Sequence, residues 1–454
     1  MNWLHKIKFE WLCFIFLFFT GTVLSFLTPV YQLPDEVAHF ARAWQISEFT
    51  FISPVKNSEN GKKDWMSYVP SVFLEKYMHN LFQAQGRYSF NDVKEFLSAP
   101  LNDVLIELKI SNTGTYAPII YFPQALFGYL VRIFGGTAGQ IYYAMRIGAV
   151  FFAALCMFWS IRLLPEKGLL IFLLGMMPMF LAESASTSAD CVLYGTCIFV
   201  SAYILSLTKT REKLTAKQIF VLIFMSILIG LLKQIYGTII LLYFLIPYER
   251  LGTRRNYILF GLFLLVVCLV SSFAWLYVSV AKSGVSTAIG EKANIEEQIK
   301  FFMSDPVRGC MILIRSNIAQ LLFYAGNFIG ILGWLTVYMP MWFYFLYAVF
   351  LIAGALFGKL NINLWHRLIM MTGCLSTLLA IDFYEYFTWT ASGALWLEGV
   401  QGRYFIPISL MGLSLFSFFP RLKYENIIAL FAGLLSMIVA IIATFLYFYA
   451  GITV

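Results

Sequence analysis

The chain has 454 residues, 60% hydrophobic, 18% aromatic and only 12% charged, with a formal net charge of +8 and a mean hydropathy of +0.77. That balance excludes a soluble globular domain. It also argues against a nucleic-acid reader, because the basic residues are scattered through short turns between apolar runs and form no single patch.

Several apolar runs reach the roughly 20 residues a helix needs to cross a hydrocarbon core, and the alternation expected of a barrel is absent. The sequence therefore predicts an all-α polytopic membrane protein, one integral domain over 1–454. His5, Lys6 and Lys8 precede the first run, 9–27, and no small-residue cleavage site follows it, so it reads as a retained span with a cytoplasmic N-terminus. The stretch 28–138 then becomes a large extracytoplasmic loop. Within it, 35–49, 67–84 and 91–110 read as short interfacial helices, and 117–134 as a segment lying in the interface.

Beyond the loop, spans are predicted at 139–163, 168–184, 190–208, 217–232, 235–247, 257–281, 338–358, 364–382, 403–420 and 426–450, about eleven with the first. This register keeps Arg162/Lys167, Lys209/Arg211/Lys213/Lys217, Arg250/Arg254/Arg255, Lys359/Arg367 and Arg421/Lys423 on the inner side. A second extracytoplasmic segment, 282–337, has room for one more crossing within 306–337. The seven cysteines form no Cys-x-x-Cys pair or Cys/His cluster, which speaks against a zinc site or a disulfide framework. No internal repeat supports a transporter built from duplicated halves.

With this topology the suggestive charges collect on one side. Asp35, Glu36, His39 and Arg42 open the first loop. Asp190 follows the polar turn Glu183-Ser184-Ala185-Ser186-Thr187-Ser188, Lys233 sits in a break between two short spans, and Arg403 lies in Gln401-Gly402-Arg403-Tyr404. A carboxylate as general base beside cations that neutralise a leaving phosphate suits sugar transfer from a lipid phosphate held at the bilayer surface.

Plainer readings exist for each piece. Asp35 and Glu36 after Pro34 also suit a helix start, Asp-Glu-x-x-His also suits a divalent cation, and Arg403 with Tyr404 also suits an interfacial anchor. A lysine between apolar runs must snorkel, pair or bind an anion. Asp382, Glu385 and Glu398 flank a loop rich in aromatics, either an acceptor groove or a solvated loop with interface aromatics. His5, His79 and His366 have no convergent partners.

Pro34-Asp35-Glu36-x-x-His39, Tyr116-x-Pro118-x-x-Tyr121, Ser186-x-Ser188-x-Asp190, Leu232-Lys233-x-x-Tyr236, Leu332-Gly333-Trp334 and Gln401-Gly402-Arg403-Tyr404-Phe405-x-Pro407 run in order through most of the chain. Together they resemble a bacterial family of predicted multispan membrane proteins of unknown function, similar in architecture to the GT-C glycosyltransferases. The resemblance implies a GT-C-like bundle in the bacterial plasma membrane, with a site facing outward. It also implies a polyprenyl-phosphate-type sugar donor, and a glycan or lipid acceptor deprotonated by a carboxylate of the first loop.

Carried onto this chain, the base is Asp35 or Glu36, with His39 beside them. Lys233, Arg403 and Arg42 hold the donor phosphate; Asp190 is the second acidic position, with Tyr116, Tyr404 and Gln401 near the acceptor. No cofactor is required, although a diphosphate donor favours Mg²⁺ or Mn²⁺. The competing expectations are a transporter or lipid flippase using Asp190, Lys233 and Asp382, and a surface-polysaccharide polymerase or ligase.

Overall fold

The computed structural model describes residues 8–57, 63–74, 85–285 and 293–453. His5, Lys6, His79 and the 75–84 part of the interfacial helix expected over 67–84 lie outside the described residues.

The chain is a helical membrane protein. Its elements begin with α1 (Phe9–Leu27), α2 (Glu36–Ser47), β1 (Val55–Asn57), β2 (Lys63–Pro70), α3 (Phe90–Ser98), β3 (Leu105–Lys109), α4 (Phe122–Ile133) and α5 (Ala138–Leu163). Next come α6 (Gly168–Gly175), α7 (Pro178–Ser184), α8 (Asp190–Ser206), α9 (Ala216–Leu232), α10 (Arg254–Leu276), α11 (Ile295–Ser304) and α12 (Pro306–Gly330). The last are α13 (Met341–Leu356), α14 (Leu364–Thr388), α15 (Ile406–Ser414) and α16 (Glu425–Phe445).

Six helices among the described residues are long and apolar enough to cross a membrane: α1, α5, α8, α10, α14 and α16, some extended by a short terminal turn. The pair from Pro165 to Ser184 makes a seventh candidate, bent by 72°. This is fewer than the eleven expected. Pro178, at the first turn of α7, cannot continue the hydrogen-bond ladder of α6 and breaks that span. The expected spans around Lys233 and at 403–420 are short pieces: α9 has 17 residues, the following 3₁₀ helix Gln234–Leu245 has 12, and α15 has 9. α12 has the length but carries Arg308 and Arg315 among other polar residues, and is not one of the six.

The centre and the rim of the bundle differ in packing. In the most apolar stretch of α8, 78% of the residues are buried, against 22% in α10 and in α14, which turn Val266, Val270, Leu375 and Leu379 outward, as helices facing lipid do.

The segment between α1 and α5 also departs from expectation. α2 forms over 36–47, but the 67–84 region begins as strand and 91–110 is divided. β1, β2 and β3 make an antiparallel three-stranded sheet, with Trp65 opposite Val55 and Tyr68 opposite Glu107. The cause is a period of two in β2: Trp65, Ser67 and Val69 are buried while Tyr68 is exposed. Pro100 follows α3 closely and bars its continuation toward 110. α4 has 12 residues, about 18 Å of helix, too short to cross a core of about 30 Å.

Candidate active site

A cavity of about 1580 Å³ lies where the loop 109–117, the α9 end with its 3₁₀ continuation, α10, the end of α14 and the 398–404 segment meet. Its wall includes Asp35, His39, Tyr116, Lys233, Gln401 and Tyr404. Glu36, Arg42, Asp190 and Arg403 are not on that wall.

Asp35 caps the start of α2 with left-handed backbone angles, φ 60° and ψ 7°. A non-glycine residue held there costs about 1–3 kcal/mol and persists only where the surroundings impose it. Its carboxyl is open to the cavity, yet dense protein surrounds it. That burial raises its pKa, while the charges of Arg403 and Lys233 and a hydrogen bond from Asn112 oppose the rise. His39 is one turn further along α2. Its Nδ1 lies 2.7 Å from the Tyr121 hydroxyl and accepts from the Ala189 N–H at 3.4 Å. Burial pushes its pKa down to about 3, so the ring is neutral and carries its proton on Nε2.

Glu36, adjacent in sequence, points elsewhere. It is completely buried and takes a two-pronged grip from Arg146 of α5, Nε to Oε1 at 2.9 Å and Nη2 to Oε2 at 2.7 Å. The other Arg146 donors reach the carbonyls of Ser25, Thr28 and Pro29, at the end of α1. Glu36 is therefore an anchor that fixes the α1–α2 corner, which corrects its expected place in the catalytic group. Arg42 is corrected likewise. It is buried and donates to the carbonyls of Phe51 at 2.6 Å and Tyr116 at 3.2 Å, leaving no route to a donor phosphate.

Asp190, Lys233 and Arg403 do come together. Lys233 Nζ is 2.8 Å from Asp190 Oδ1, and Arg403 Nη1 is 3.8 Å from Asp190 Oδ2 and 2.6 Å from Glu183 Oε1. Local chemistry explains each position. Ser186 Oγ donates to the Glu183 carbonyl and accepts from the Ser188 N–H, and Ser188 Oγ accepts from the Asp190 N–H. These bonds build the turn that starts α8 at Asp190. Lys233 occupies an extended residue between α9 and the 3₁₀ helix, freeing its side chain from either helix face. Arg403 sits on a short 3₁₀ turn, its N–H bonded to Asn327 Oδ1 at 3.0 Å. A Cβ on the preceding Gly402 would lie 2.0 Å from the Tyr324 carbonyl oxygen, so only glycine lets that turn approach α12.

The aromatic motif residues complete the assembly. Lys233 Nζ lies 5.2 Å from the Tyr116 ring centre, and the Tyr236 hydroxyl donates to the Tyr404 carbonyl at 2.9 Å. Trp334 Nε1 donates to the Tyr31 carbonyl at 3.2 Å, tying the 332–334 turn to the start of the loop. Two participants were not assigned a role in the sequence: Glu183, visible only as the edge of a polar turn, and Asn112. Among the described residues no three His, Cys, Asp or Glu side chains form a metal-binding group.

Residues 18–411 match the predicted membrane protein family DUF2142. The chain belongs to that family. The matched span of this DUF2142 protein takes in every group just described, from Asp35 to Arg403. Neither a curated protein nor a solved structure matches the chain.

Proposed function

We propose that this protein is an extracytoplasmic-face glycosyltransferase of the bacterial plasma membrane, moving a sugar from a polyprenyl-phosphate-type donor to a cell-envelope glycan or lipid-linked acceptor. The observation that carries the reading is Asp35, a carboxylate with imposed backbone strain, open to a large cavity that Lys233 also lines.

In this mechanism Asp35 takes the proton of an acceptor hydroxyl as its oxygen attacks the anomeric carbon. The bond from that carbon to the phosphate oxygen breaks, and its electron pair leaves with the lipid phosphate. Burial makes Asp35 a stronger base than an exposed carboxylate. Lys233 neutralises the departing phosphate, with Arg403 behind it holding Asp190 and Glu183. A single displacement inverts the anomeric centre. A donor that requires Mg²⁺ or Mn²⁺ would find the carboxylates of Asp35, Glu385 and Glu398 on the wall, but among the described residues no three of its His, Cys, Asp or Glu side chains converge on one point.

The test uses the full-length protein in lipid nanodiscs with a panel of polyprenyl-phosphate-linked sugars and envelope glycan acceptors, scoring release of free polyprenyl phosphate. Wild-type protein releases it and Asp35→Asn does not. Equal release by both removes Asp35 as the base. If instead a lipid is flipped without bond cleavage, and Asp190→Asn stops flipping while Asp35→Asn does not, the chain is a transporter.

A further inference from the structure

The cavity wall carries an imbalance of charge that glycosyl transfer alone does not require. Each of its two lysines has a carboxylate partner from outside the wall: Asp190 lies 2.8 Å from Lys233, and Asp64 2.9 Å from Lys109. Its three carboxylates, Asp35, Glu385 and Glu398, form no ion pair within 4 Å among the described residues.

Glu385 is the anomaly among them. It sits near the end of α14, is only 9% exposed, and its carboxylate forms no hydrogen bond or ion pair among the described residues. The charges of Lys233 and Arg403 reach it only at longer range. Glu385 lines the cavity wall, so a molecule bound there can reach its carboxylate and supply the partner that the protein does not.

Its surroundings indicate the ligand. Gly399 has φ +89°, and a Cβ there would lie 2.5 Å from Glu385 Oε2 and 2.7 Å from Trp389 Cδ1, so the carboxylate and the indole edge share one small space. Tyr384 and Tyr404 are electrostatic neighbours of the same carboxylate, and all three rings line the cavity. A carboxylate with three aromatic rings around it on a cavity wall suits an ammonium group, which gains from the charge and packs well against aromatic carbon. A neutral sugar hydroxyl would gain little from the charge, and a phosphate would be repelled.

We propose that the Glu385 pocket recognises a protonated amine on the substrate, so that one of the transferred or accepting sugars is an amino sugar with a free amine. This rests on the glycosyl-transfer reading and assigns the part of the cavity opposite in charge preference to Lys233. A substrate with a phosphate at Lys233 and an amine at Glu385 would meet complementary charge at both ends, which fixes its direction in the cavity.

Saturation-transfer NMR on the full-length protein in nanodiscs tests the claim without turnover, using glucosamine, N-acetylglucosamine and glucose at about pH 7.2, where an amine of the α-amino class is mostly protonated and a carboxylate is available to meet it. Glucosamine should bind about tenfold more tightly than either neutral sugar, the equivalent of one amine contact. Glu385→Gln should remove that preference and Glu398→Gln should keep it. Equal binding of the three sugars by wild-type protein overturns the proposal, as does binding of none, and neither result depends on a variant folding. A preference that survives Glu385→Gln in folded protein overturns it too. So does stabilisation by Mg²⁺ that both Asp35→Asn and Glu385→Gln abolish, with no preference among the sugars. None of these results bears on whether Asp35→Asn stops phosphate release, so the two readings fail separately.

Discussion

The protein holds two buried clusters of opposite charge, and they are finished to different degrees. In the first, all five Arg146 donors find acceptors, two on Glu36 and three on carbonyls around the end of α1. In the second, Arg403 binds Glu183 and approaches Asp190, but its Nε has no partner among the described residues, and Lys233 keeps 18% of its side chain exposed. A closed network fixes structure because no valence is left for a ligand. An open one retains charge that something arriving in the cavity can use. Position in the sequence does not make this distinction: Asp35 and Glu36 are neighbours, and they fall on opposite sides of it.

The comparison breaks most visibly at the closed cluster. Arg146→Met or Glu36→Gln leaves a buried charge without its partner, at a cost of about 3–5 kcal/mol. Either variant should fail to accumulate as folded protein, scored by size-exclusion profile in mild detergent. The double replacement Arg146→Met with Glu36→Leu should recover part of the loss, because no lone charge remains. Single variants that stay as stable as wild type would mean Glu36 is not an anchor.

At the open cluster the balance between stability and turnover reverses. Asp35→Asn keeps the side-chain shape and the left-handed corner, since asparagine tolerates that backbone region. Donor cleavage should fall by about 10²–10⁴ with little change in melting temperature. Arg403→Lys is a smaller perturbation. It preserves charge toward Glu183 but loses the planar fork, so turnover should drop by about tenfold, with a loss of about 1 kcal/mol in stability. A large stability loss with unchanged turnover would place Arg403 with the closed cluster instead.

The sequence was readable where one residue type in one place has few physical options. Charges at the ends of apolar runs pointed to Asp190, Lys233 and Arg403, and these meet in the fold. It was misleading where the partner is distant and hidden. Glu36 finds Arg146 in the middle of an apolar helix, 110 residues away, and Arg42 is satisfied by backbone carbonyls that no composition signals. The number of long apolar helices among the described residues is lower than the expected span count for a related reason: hydropathy registers an apolar run, but Pro178 bends one such run, and the extended residue at Lys233 divides another into helices of 17 and 12 residues. The small sheet was missed because β2's alternation is only eight residues long within a mostly helical chain.

The most delicate probe lies between the clusters, at His39, whose ring is packed against Tyr121 and receives the N–H that precedes Asp190. Burial and the cations Lys233 and Arg403 favour its neutral form, Asp190 opposes them, and its pKa lies at about 3 against an ordinary 6.5. Below 6.5 the unfolded chain takes up a proton that the folded ring refuses. The stability that neutral His39 contributes is therefore present above pH 6.5 and lost as the pH falls toward 3, by ~1 kcal/mol per pH unit. His39→Gln removes this one group and leaves the carboxylates to titrate as before. Between pH 7 and 5 the wild-type protein should lose ~2 kcal/mol more than the variant in detergent melting curves. Parallel curves would show that the folded ring takes up its proton over the same pH range as the unfolded one, and so is charged at pH 5. Its Nδ1 could then not accept from Ala189, and the turn leading to Asp190 would have to be held by Ser186 and Ser188 alone.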